Sequence, residues 1–129
     1  MKKFLIAVAI IIALFIALFG GLFLSVVLKE YRELESIDKT PVDISNVPDG
    51  VYEGYSETTL VKARVRVSVS DGSIDNIEIL EHECGKGKPA EAIIEDIIGG
   101  NTTEVDAVTG ATVSSEVIKA AVRNALRSE

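Results

Sequence analysis

An α+β architecture, a transmembrane helix followed by a small antiparallel sheet with packed helices, is what this sequence predicts, and three features predict it. Residues Phe4 to Leu28 carry no charge at all. Residues 61–70 alternate apolar and polar side chains with a period of two. Two later stretches, near 89–98 and 113–127, repeat their apolar residues at helical spacing.

The uncharged stretch comes first. At about 1.5 Å per helical residue, Phe4–Leu28 spans a bilayer core with some tilt. It is apolar on every face, which argues against a buried core helix. A cleaved signal peptide is the competing reading, but its apolar region is normally much shorter, and no small-x-small site follows here. The expectation is an uncleaved anchor over residues 1–28. Lys2 and Lys3 precede it, whereas Lys29 and Arg32 follow it among Glu30, Glu33 and Glu35. That bias places the N-terminus in the cytoplasm and the rest of the chain outside.

Residues 29–46 read as a charged tether. Lys29–Ile37 can continue the membrane helix for a short distance, and Thr40-Pro41 breaks that continuation. A flexible tether of this length would reach tens of ångströms. The remainder, residues 47–129, is a domain of about 80 residues, small for a single core.

Asp49-Gly50 opens a strand over Val51–Thr59. In the next one Val61, Ala63, Val65, Val67 and Val69 share one face, and Lys62, Arg64, Arg66, Ser68 and Ser70 the other. Asp71-Gly72 is a preferred two-residue hairpin turn. Ile74, Ile77 and Ile79 mark the returning strand, with Asp75-Asn76 as the place for a bulge. Pro89 suits a first helical position. Ala90, Ile93, Ile94, Ile97 and Ile98 then form a stripe that Gly99-Gly100 is expected to end. The last helix begins near Val113–Ser115. It buries Val117, Ile118, Ala121, Val122 and Ala125 and turns Glu116, Lys119, Arg123 and Arg127 to water.

Charge narrows the partners. Setting Lys2 and Lys3 aside, 11 of the 13 basic residues stand against all 20 acidic ones in residues 29–129, a net −9. That is the wrong sign for binding nucleic acid. The single cysteine, Cys84, excludes an intrachain disulfide and a tetrathiolate metal site.

Chemistry concentrates in Asp106-Ala107-Val108-Thr109-Gly110-Ala111-Thr112-Val113-Ser114-Ser115. Hydroxyls crowd a glycine-containing turn that feeds a helix start. Amide groups lack intrahelical partners there, and the helix dipole favours an anion such as phosphate. Spacing alone equally fits an ordinary N-cap, with Ser114 or Ser115 as the capping residue.

Asp-x-x-Thr-Gly-Ala-Thr at 106–112 resembles the flavinylation motif of the FMN-binding domain family. That family includes the flavin subunits of Rnf-type and sodium-translocating NADH:quinone oxidoreductases. Pro48–Gly54, the hairpin of Val61–Leu80 and the helix after Ser115 share the likeness, so it covers about residues 46–127. The resemblance implies FMN joined to Thr112 through a phosphoester. Gly110 and Ala111 would give backbone clearance, and Thr109, Ser114 and Ser115 would donate to the phosphate. Asp106 would belong to what a separate flavin transferase, using FAD as FMN donor, reads. Family members often line the flavin with a histidine and a glycine-rich loop, which here gives His82, Lys86 and Lys88 near Cys84-Gly85-Lys86-Gly87. Read without the family, His82 is equally a solvated loop residue. The chain lacks the Thr-Pro-Gly-Leu-Gly type segment of the larger complex subunits.

The functional expectation is a membrane-anchored, extracytoplasmic electron carrier bearing FMN, between redox donor and acceptor proteins. The alternatives are a flavin-dependent reductase with its own small substrate and a binding or structural module without flavin.

Overall fold

The computed structural model is described for residues 1–83 and 88–127. It opens with helix α1, Lys2–Ser36, followed by a short 3-10 turn at Ile44–Asn46. Strands β1 (Gly50–Glu57), β2 (Lys62–Ser70) and β3 (Ser73–Glu83) come next. A 3-10 turn at Lys88–Ala92 leads into α2 (Ile93–Gly100), and α3 (Thr112–Arg127) closes the chain.

The sheet is a meander in the order β1-β2-β3, antiparallel throughout. The alternation read from the sequence is its inner face: Val61, Ala63, Val65, Val67 and Val69 are all buried. Asp71 and Gly72 both have positive φ, 51° and 73°, as a two-residue primed turn requires. The bulge expected at Asp75-Asn76 is present, because Ser68 pairs with Asn76 while Val69 pairs with Ile74. A second one, skipping Leu80 between Ile79 and Glu81, has no turn residue to announce it.

Helix α3 lies across the inner face and buries Val117, Ile118, Ala121, Val122 and Ala125 against the sheet valines. Gly54 allows it to come close. A Cβ there would stand 2.0 Å from the Ala121 carbonyl oxygen and 2.4 Å from the Ala125 nitrogen.

One expectation for the helices is corrected. Lys119 and Arg123 do not face water: both are buried, because the segment after α2 passes over that side of α3. The Lys119 ammonium donates to the Val105 carbonyl oxygen at 2.8 Å, and Arg123 reaches Glu104 at 3.5 Å. Helix α2 ends at Gly100 as expected, but the left-handed cap is not a glycine: Asn101 takes that conformation (φ 51°). Asparagine tolerates that conformation, and its amide is used twice. It accepts from the Ile74 N–H at 2.9 Å and donates to the Gly72 carbonyl oxygen at 3.0 Å, tying α2 to the hairpin.

Helix α1 is exposed over its whole apolar length and is long and apolar enough to cross a membrane. It does not stop with the apolar stretch. It continues to Ser36, where Glu30 and Leu34 are buried against the domain. The turn between β1 and β2 is bound to it. Glu30 accepts from the Thr58 hydroxyl and from the Leu60 N–H at 3.0 Å. Glu33 accepts from the Thr59 N–H and, at 2.8 Å, from its hydroxyl. After α1 the chain is held again, where Arg127 donates to Asp38 at 3.0 Å and to the Thr40 carbonyl oxygen. The first half of residues 29–46 is therefore docked helix rather than free tether.

Candidate functional site

The hydroxyl-rich turn is built from the helix outward. The Ser115 N–H makes the first intrahelical bond of α3, to the Ala111 carbonyl oxygen at 2.9 Å. The amides of Thr112, Val113 and Ser114 therefore precede any intrahelical acceptor. Gly110 takes φ +81°, with open space where a side chain would be. That left-handed residue reverses the chain so that the Ala111 N–H meets the Val108 carbonyl oxygen at 2.9 Å.

The predicted site residues divide by exposure. Asp106, Thr109, Gly110 and Thr112 are exposed. Ala111, Ser114 and Ser115 are buried. The Ser115 hydroxyl accepts from the Val108 N–H at 2.9 Å and donates to the Ala111 carbonyl oxygen at 2.7 Å. It braces the turn from beneath, and the capping role open to it in the sequence goes to no serine, since α3 starts at Thr112. Two threonine hydroxyls flanking the open glycine are thus what the turn presents outward.

His82 is not a solvated loop residue. It pairs with Ala63 near the end of β3, on the face the helices cover, and its side chain is 3% exposed. Its two ring nitrogens lack hydrogen-bond partners among the described residues. The Glu91 carboxylate stands 3.5 Å from Nδ1, an ion-pair distance that acts only on a protonated ring. A cleft of about 290 Å³ opens beside them, lined by Ile79, Leu80, Glu81, His82, Lys88 and Glu91. Lys86 and the rest of Cys84–Gly87 lie outside the described residues.

No direct bond joins His82 to the Thr112 turn among the described residues. The link is the 3-10 turn Lys88–Ala92, which lines the cleft on one side and packs beside α3 on the other. Glu91 was missed by sequence reading, because a lone glutamate in a helical stretch looks like solvated surface. Tyr52 donates to the Pro48 carbonyl oxygen at 2.6 Å and packs on the core. Tyr55 lies on the outer face, bonded to Glu57 with the Arg64 guanidinium over its ring. Among the described residues no cluster suits a metal ion.

An open turn with an exposed threonine at a helix start fits a phosphate, and a buried imidazole without hydrogen-bond partners among the described residues, beside a cleft, fits a ring-sized ligand. The model of the FMN-binding domain family matches residues 54–127, from β1 to the end of α3. An "Uncharacterized protein" of Treponema pallidum (strain Nichols) is 31% identical over 86 residues, which are 64% of this chain and 24% of that protein. This chain thus spans about a quarter of the relative's length. The family match takes in the second half of β1, all of β2 and β3, the His82 cleft and the Thr112 turn, and on that match the chain belongs to the FMN-binding domain family.

Proposed function

We propose that this chain is a membrane-anchored flavoprotein electron carrier, with FMN esterified to Thr112 and the domain outside the cytoplasm. One observation carries the reading: Thr112 is exposed at the first position of α3, ahead of Ser115, whose N–H makes the first bond of that helix. Flavin accepts one or two electrons, so a bound FMN bridges hydride donors and single-electron carriers. The chain's own residues hold and orient it. The amides at the start of α3 and the Thr109 hydroxyl would donate to phosphate oxygens. Ser115 fixes the turn, and His82 with Glu91 and Lys88 borders the cleft. Attachment needs a flavin transferase that splits FAD. The phosphoester forms at the Thr112 oxygen, adenylate leaves and the hydroxyl proton is lost.

The net −9 of residues 29–129 suits docking on basic redox partners. The mass of the chain purified from its own membranes tests the reading directly: an increment of one FMN is expected. An unmodified mass in cells that contain the transferase overturns it. For topology, protease added to intact spheroplasts should remove the domain. Protection until lysis would place the domain in the cytoplasm.

A further inference from the structure

The inference rests on α1 crossing a bilayer. We propose that the β1–β2 turn is a second membrane contact, in which Leu60 enters the interfacial layer of that bilayer and Lys29 and Lys62 face lipid phosphates beside it.

Height is the first ground. Leu28 is the last residue of the uncharged stretch, and Glu30 lies about 3 Å further along the axis. Glu30 holds the Leu60 N–H at 3.0 Å and the Thr58 hydroxyl. The turn therefore sits close to where the hydrocarbon ends. The interfacial layer on each side of the bilayer is about 6 Å deep, which takes in that level.

The second ground is what the turn exposes. Leu60 is 55% exposed and Tyr31, on the adjoining turn of α1, is 59% exposed. Aromatic and apolar side chains at this level are stabilised among headgroups. Between α1 and the turn lies a cleft of about 580 Å³, lined by Lys29, Glu33, Ser36, Thr58, Thr59 and Lys62, among others.

Charge is the third ground. The carboxylates here already have partners: Glu30 and Glu33 bind the turn, and Glu57 accepts from the Tyr55 hydroxyl at 2.8 Å. Lys29 lies 3.7 Å from the Glu33 carboxylate but keeps 63% of its side chain exposed, so its ammonium group and that of Lys62 can meet anionic headgroups, with their methylene stems along the apolar boundary.

The chain has no tryptophan, so one introduced residue is a sole reporter. Three full-length variants, Leu60→Trp, Val51→Trp and Phe15→Trp, are reconstituted in phosphatidylcholine–phosphatidylglycerol vesicles with acyl chains brominated at shallow or deep positions. Leu60 and Val51 are both exposed, so neither exchange disturbs packing. The expected result is loss of Leu60→Trp emission to shallow bromines with a blue shift, loss of Phe15→Trp emission to deep ones, and no quenching of Val51→Trp. If Phe15→Trp is quenched while Leu60→Trp behaves like Val51→Trp, the helix spans but the turn does not touch lipid. Failure to quench Phe15→Trp removes the membrane reading and the proposal together.

Discussion

Thr112 and Gly54 show how differently single residues matter in this chain. Thr112 is exposed and makes no described hydrogen bond through its side chain, so Thr112→Ala should leave stability within about 0.5 kcal/mol. It should nevertheless abolish flavin fluorescence that survives denaturing electrophoresis, while Thr109→Ala only weakens it. The reverse pattern would move the attachment to Thr109. Gly54 has no chemistry to offer, yet a methyl group there collides with the backbone of α3 at both Ala121 and Ala125. Neither strand nor helix can give way cheaply, because both belong to one core. Gly54→Ala should cost about 3 kcal/mol, read as a lowered urea midpoint of the full chain in detergent.

Among the elements, the junction of α1 with the β1–β2 turn should respond to acid. The Glu33 carboxyl is held below its ordinary value of 4.5, first by the Thr59 hydroxyl and then by the Thr59 N–H. The Asp38 carboxyl is likewise lowered, first by the Thr40 hydroxyl and then by the Thr40 N–H, with Arg127 helping. A carboxyl depressed in the folded state stabilises it above the unfolded value and loses that contribution as pH falls through the folded one. Protection of the Thr59 amide against hydrogen exchange should therefore hold at neutral pH and decay below about 4.5. Glu33→Gln should remove that decay.

The same junction shows where reading the sequence reaches its end. Strand β2 and the buried stripe of α3 were legible, because local periodicity reports burial on one face. Lys119 and Arg123 were misread because a second covering segment lies on their side, and a helical pattern carries no sign of what crosses it. Their long stems and single charged ends resemble surface residues, whereas one finds a carbonyl oxygen and the other a carboxylate. The glycine turn feeding α3 was legible from its sequence. The inward bracing by Ser115 was not, since a hydroxyl's direction follows from the fold. Glu30 and Thr58 are far apart in sequence, and no short-range pattern pairs them.

At the scale of the whole molecule, the acidic balance bears on the proposed electron-carrier role. With a net −9 outside the membrane stretch, electron exchange with a basic partner should slow as salt is raised. Measuring flavin reduction in membranes over a range of ionic strengths checks this. A rate indifferent to salt would mean that docking relies on apolar contact.

Helix α3 runs from Thr112 at one end to Arg127 at the other, and Arg127 grips the chain just past α1. It is a rigid strut of about 22 Å at the rise of an α-helix. With α1 spanning a bilayer, as proposed, a domain braced in this way would give up tumbling. For a chain lying in a bilayer, encounter becomes a lateral search in two dimensions, with one side of the protein always presented to its neighbours. The orientational penalty that slows the association of freely rotating proteins is then largely removed before two molecules meet.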